Sequence, residues 1–255
     1  MRNGPKAVAE YALAFTVLLG AWWYASGPYG VPQYLLPHPQ TVTATLWTML
    51  KEGILIPQLL FTVQNIFLGL VIGTACGVLC AYAFYKSPTL TLIFEGPLVV
   101  LQTAPKIALA PLIIIWFGLG LTAKLVLVFS LVFFPVFAGA LSGFRSIDCR
   151  LHDIAKLLNL SPVQRFVRID LPASLPGVFV GIKIGSVQAL VGAILAEWMS
   201  GVQGLGYLMT YASATYRTPM LFGAVLVTAL LGIALHVLLN AIEARLLSWD
   251  TPDEH

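Results

Sequence analysis

Charge is what this sequence has least of. Only 10% of its 255 residues are Asp, Glu, Lys or Arg, where a soluble domain of this size carries roughly 25%. With 58% hydrophobic residues and a mean hydropathy of +0.88, the shortage excludes an ordinary water-soluble globule and points to apolar helices threading a bilayer. Cysteine is scarce too, at three residues. Cys76 and Cys80 lie one turn apart in an apolar run and read as small packing residues, and Cys149 stands alone, so there is no disulfide framework. The four histidines, His38, His152, His236 and His255, lack ligand spacing and give no metal set. No Gly-rich loop ends in Lys-Ser or Lys-Thr, so the chain lacks the means to bind ATP in that manner. No basic run interleaved with aromatics marks a nucleic-acid surface, and no cluster of nucleophile, base or metal residues marks an intramembrane enzyme.

What is present is a series of long apolar segments. Taken in order they read as six membrane spans, near 8–25, 59–85, 104–117, 121–144, 171–196 and 219–239, the third being the least regular. Arg2 and Lys6 precede the first, but Trp22, Trp23 and Tyr24 follow it where a small-x-small cleavage site would stand, so it reads as an uncleaved helix with an aromatic belt. Residues 26–57 are richer in Pro, Gly and Thr, and Thr41 or Thr43 is expected to cap a short amphipathic helix on the outer surface. Gly69, Gly73 and Gly77, and again Gly177, Gly181 and Gly185, recur every four residues and permit close helix contact. Residues 89–103 are interrupted by Glu95, Gly96 and Pro97 and read as partly interfacial; Pro105 and Pro111 then break or bend the third span. Residues 197–218, Gly-rich and aromatic, suit a gate or re-entrant turn as well as a plain loop. With the N-terminus inside, the inner segments hold nine basic residues, and the outer ones only Lys51, Lys124 and Arg217. That bias places both termini and the 145–172 segment in the cytoplasm.

The window from Arg145 to Asp170 holds eight of the chain's 25 charged residues. Leu151, Ile154 and Leu158 form one apolar stripe on a short helix, and Asn159 can take the left-handed conformation that closes it. Ser161-Pro162-Val163-Gln164 reads as a capping box opening a second helix, and Pro172 starts the next apolar one. A hairpin with a greasy edge and a charged rim suits docking in another protein's groove; the alternative is a solvated loop between membrane helices.

This segment resembles the cytoplasmic signature loop of bacterial ABC importer permeases, E-A-A, three residues, G, nine residues, I-x-L-P. Asp153 stands for the Glu, Ile154 and Ala155 for the alanines, and Asn159 for the Gly, and the nine-residue gap to Ile169-Asp170-Leu171-Pro172 is kept. Ile154 and Asn159 are departures. Leu36-Pro37 with its following threonines, the P-x-x-A-x-x-P-L…W-F-G-x-G run at 105–120, and Ala196-Glu197 with Gly204-Leu205-Gly206-Tyr207 resemble the nitrate, sulfonate and taurine branch. Gly181-Ile182-Lys183 stands where relatives often carry Gly-Leu-Arg.

The resemblance implies an all-α, type I importer permease fold: one transmembrane domain over 1–255 in the bacterial inner membrane, two copies forming the pore. It implies ABC ATPase subunits gripping the 153–172 loops through Leu151, Asp153, Ile154, Ala155, Leu158, Asn159, Arg165 and Pro172, and an external solute-binding protein delivering cargo. No cofactor is implied for this chain, ATP being bound by the partner. A pyrimidine-type thiamine precursor is the alternative cargo to a small oxyanion or sulfonate.

Four groups are candidates for the pathway: Gln102, Lys106, Lys183 and Glu197. Lys183 lies about 16 Å into its span from Pro172, where an unpaired ammonium costs roughly 3 kcal/mol or more. It either lines the path as a cation for an anionic solute or pairs with a neighbour. Glu197 either pairs with Lys106 or Lys183 or holds the outer gate. A secondary transporter, the competing class, would show inverted repeats and a buried acidic or His relay; only Glu95 and Glu197 offer themselves, and no repeat is evident.

Overall fold

The computed structural model describes residues 5–27 and 30–247, and among them every regular element is a helix. In chain order these are α1 (Pro5–Ala25), α2 (Pro39–Lys51), α3 (Leu55–Lys86), α4 (Pro88–Thr103), α5 (Ala110–Phe117), α6 (Leu121–Arg145), α7 (Cys149–Leu157) and α8 (Pro162–Arg165). A π-turn (Phe166–Asp170) leads into α9 (Leu171–Ser200), followed by α10 (Leu205–Ala214) and α11 (Thr218–Leu246). Four stretches are long and apolar enough to cross a membrane: α3, α6, the continuous rod Pro162–Ser200, and α11.

The centre of the fold is α6, packed between α3 and α9. Gly69, Gly73 and Gly77 of α3 receive Val128, Val132 and Val136 of α6: a Cβ on these glycines would lie 2.3, 2.6 and 3.0 Å from the valine methyls. On the other side Gly139 and Gly143 of α6 meet Gly177 and Gly181 of α9 backbone to backbone, a Cβ on Gly139 falling 2.5 Å from the Gly177 carbonyl. Lipid tails are as apolar as leucine, so this close packing is what holds helices together in a bilayer. Gly185, third in the α9 series, is different: a Cβ there meets Val132 and Val136 at an ordinary 3.4 Å.

The third crossing departs from the sequence expectation at Pro97 and Pro111 and follows it at Pro105. Helix α4 runs unbroken through Pro97, while the chain breaks at 104–109, as expected of Pro105, with Ala104 extended before it. Pro111 opens α5 rather than bending it, sitting in the first turn where its missing N–H costs nothing. Since α3 and α6 both end where the charged hairpin lies, α4 and α5 together carry the chain back to the opposite end. Alone, α4 rises about 24 Å, short of a bilayer core of about 30 Å.

At the end away from the hairpin, α2 begins at Pro39 with His38 in the N-cap position, so Thr41 and Thr43 lie inside the helix and cap nothing. Within the 197–218 stretch residues 205–214 are not a plain loop but α10, whose Leu205, Leu208 and Ala212 are buried with Met49, Leu55, Met220 and Ala224. Arg2 and His255 lie outside the described residues, as do the side chains of Lys6 and Glu95.

Candidate functional site

The hairpin is assembled as its residues dictate. Asp148 caps α7 by accepting the Arg150 N–H at 2.9 Å. Asn159 closes the helix with φ +48°, and the Ser161–Gln164 capping box forms with both of its hydrogen bonds. The second arm is not a separate helix: α8 passes through the π-turn directly into α9, making one 39-residue rod. Pro172 has no N–H for the carbonyl four residues back, and the helix widens just before it, the Leu171 N–H bonding the Phe166 carbonyl.

The candidate coupling residues separate into two groups. Ile154, Leu158 and Asp153 are exposed, and Leu157, which the stripe at 151, 154 and 158 omitted, is the most exposed of the α7 leucines at 81%. Leu158 is the C-cap, one residue beyond α7. Val163 and Val167 extend the apolar surface onto the rod. Ala155 is buried, Leu151 half-buried, and Arg165 turns inward to Asp170, so these three belong to the hairpin's underside rather than its free face.

That underside is organised around Asp170, fully buried, which the sequence places only in the charge count and at the variable position of the I-x-L-P match. Lys86 Nζ reaches its carboxylate at 2.9 Å, Tyr82 Oη donates at 3.1 Å, and Arg165 Nε lies at 3.4 Å. His152 Nε2 is 3.8 Å from the same carboxylate and 2.7 Å from Tyr85 Oη. Tyr82 packs on Phe166, and Tyr85 stacks on Phe144. The available signal was an Asp inside a run that otherwise starts an apolar helix.

Within the membrane region, a cleft between the 104–109 turn, α4, α6 and α9 is lined by Gln102, Lys106, Phe134, Gly181, Ile184 and Gln188. It continues along α6 past Ala138 and Ser142 to Arg145 at the hairpin end. Lys106 Nζ donates to the Gln102 carbonyl at 2.9 Å and lies 4.5 Å from the centre of the Phe134 ring. No carboxylate among the described side chains pairs with it. Two of the four pathway candidates, Gln102 and Lys106, therefore share one cleft.

Lys183 and Glu197 lie elsewhere. Lys183 pairs with Glu243 of α11 and does not line the cleft. Glu197 is fully buried at the far end and pairs with neither Lys106 nor Lys183. It accepts from Thr62 Oγ1 (2.8 Å), Asn65 Nδ2 (3.0 Å) and the Gly206 N–H (3.1 Å). Thr62 in turn accepts the Leu205 N–H, and Gln58 the Gly204 N–H. Lys124, assigned from sequence to the outer surface, is buried with its ammonium over the Phe61 ring. Glu197 thus ties the start of α10 to α3 at the end of α9 away from the hairpin.

Comparison with known proteins agrees with this architecture. The chain is 33% identical over 220 residues to an ABC transporter permease protein of Haemophilus influenzae, covering 86% of this chain and 89% of that one. It is 30% identical to the formylaminopyrimidine transport permease protein ThiX of Halalkalibacterium halodurans, over 94% of this chain and 95% of the relative. It is 29% identical to the taurine transport system permease protein TauC of Escherichia coli, over 91% and 86% respectively. Residues 73–248, from the middle of α3 past the end of α11, match the profile of the binding-protein-dependent transport system inner membrane components, and the chain belongs to that family of ABC importer permeases, which transport solute but leave ATP hydrolysis to a separate subunit.

Proposed function

We propose that this chain carries a small anion across the cytoplasmic membrane, along the cleft that holds Lys106, with the 149–170 hairpin facing the cytoplasm and gripped by an ATPase. Two copies would enclose the path, each contributing its α4–α6–α9 face. Lys106 carries the anion reading: it is a half-buried ammonium whose described partners are a carbonyl and an aromatic face, so its charge is left for a solute. The amides of Gln102 and Gln188 flank it as neutral hydrogen-bonding groups. The similarity to a taurine permease supports a sulfonate-type solute.

The hairpin supports the coupling part of the reading. Ile154, Leu157, Leu158 and Val163 form an exposed apolar surface rimmed by Asp153 and Lys156. A bundle built to bury apolar side chains leaves such a cluster in water only where a partner covers it. ATP-driven closure of the ATPase pair would move the hairpins and so alternate the access of the cleft.

A second solute has its own support. The ThiX relative carries the name of a formylaminopyrimidine transporter, and Phe134 with Gln102 and Gln188 would also suit a heteroaromatic ring. Uptake by proteoliposomes holding the permease, its ATPase and its binding protein separates the two. Labelled taurine should be taken up, and Lys106→Met should reduce that uptake roughly tenfold, the loss of one partly desolvated charge contact. Equal uptake by K106M, or uptake of a neutral pyrimidine alone, would contradict the anion reading. For the hairpin, I154D/L158D is expected to reach the membrane but lose the copurifying ATPase.

A further inference from the structure

We propose that Asp170 is a positioning residue for transport, the joint that delivers hairpin motion to the membrane helices. This rests on the reading that an ATPase grips the hairpin. One carboxylate gathers groups from three of the elements meeting at this corner: Lys86 and Tyr82 from the end of α3, Arg165 from α8, and His152 from α7. Asp170 itself is the last residue before α9. Helix α7 makes few other close approaches to the bundle, so its hold on the membrane helices passes through the buried Ala155, the His152–Tyr85 bond and this cluster.

The chemistry suits a stiff link. Charge-assisted hydrogen bonds are short and directional, and they strengthen where water is excluded. Here the exclusion comes from Tyr82 against Phe166 at 4.4 Å and Tyr85 against Phe144 at 5.7 Å, with Lys86 Nζ about equally far from both tyrosine rings at 5.1 and 5.0 Å. A lever fastened only by the turns at 146–148 and 158–161 would swing without moving α3. Fastened through Asp170, it carries α3 and α9 with it, and those two helices flank α6, whose other face lines the cleft.

The test is to separate assembly from coupling in the reconstituted transporter with its ATPase and binding protein. Asp170→Asn keeps the size and removes the charge. It should copurify with the ATPase and hydrolyse ATP at about the wild-type rate, while solute moved per ATP falls about tenfold or more, a coupling loss of ordinary size. The double variant K86M/D170N removes the buried carboxylate together with its partly exposed lysine partner, so neither is left facing the other's absence; it should assemble and remain uncoupled. Wild-type stoichiometry in either assembled variant would overturn the proposal. So would failure of both to assemble, which assigns Asp170 to folding alone. I154D/L158D in the same preparations isolates the underlying reading: if it keeps its ATPase, the docking surface is elsewhere and the lever falls with it.

Discussion

A carboxylate shut away from water is stable only where donors replace the water it gave up, and Glu197 meets that condition with a hydroxyl, an amide and a backbone N–H. Glu197→Ala would leave those donors unpaired beside the buried Lys124, a cost of about 3–5 kcal/mol for breaking a buried charged network. E197Q, which still offers one oxygen, should cost less. Gly204→Ala should resemble E197A, because its Cβ would fall 2.1 Å from the Glu197 carboxyl carbon at a backbone φ of +110°. Thermal unfolding of the purified protein in detergent measures all three; unchanged midpoints would remove Glu197 from its structural role. Lys183 and Glu243 call for a different comparison. Either K183M or E243Q alone leaves an unpaired charge in apolar surroundings, whereas the double variant removes both and should recover stability and uptake. Recovery would exclude Lys183 from solute contact; persistent loss of uptake in a stable double variant would restore it as a pathway cation.

Helix by helix, close approach decides what substitution the fold tolerates. Gly177→Ala forces apart two backbones already in contact, for its Cβ would lie 2.7 Å from the Gly139 carbonyl, and should cost about 1–3 kcal/mol as overpacking. Gly185→Ala adds a methyl at normal contact distance and should be nearly neutral in the same unfolding assay. Equal effects would mean that α6 and α9 are not packed in this register. The glycine spacing was legible in the sequence because a four-residue repeat marks one helix face; the partner face was not, since Gly139 and Gly143 make only one such step. Helix ends were read well where the residue type marks them, by the side-chain cap of Ser161 and the left-handed backbone that Asn159 tolerates, and badly where it does not, as at His38. The break at Pro105 was legible and the one expected at Pro97 did not occur, because a proline within a helix can be absorbed when neighbouring groups allow, whereas the extended residue before Pro105 stops the ladder outright. The hairpin's free face was half legible. Periodicity found Ile154 and Leu158, but a nine-residue helix has too few turns to say which leucines turn outward, and Leu157 was missed. Asp170 was invisible because its partners come from 5 to 88 residues away.

For the molecule as a whole, two buried carboxylates mark the ends of one helix. Asp170 fastens the start of α9 to the end of α3 beside the hairpin, and Glu197 fastens the finish of α9 to the start of α3 beside α10. Between them α6 packs its valines on the glycines of α3 and its glycines on those of α9, so α3, α6 and α9 form the firm part of the subunit. The α4–α5 segment joins it less closely, and the Lys106 cleft lies at that seam. Transport coupled through this frame requires the hairpin, and not the α10 end, to be what an ATPase touches. A photoreactive cross-linker on Leu157→Cys, compared with one on Tyr216→Cys at the opposite end, tests this in membranes containing the assembled transporter; both side chains are highly exposed, at 81% and 90%. The expected result is an adduct with the ATPase from position 157 and none from position 216. An adduct from 216, or none from 157 in a transporter that still takes up solute, would contradict the account.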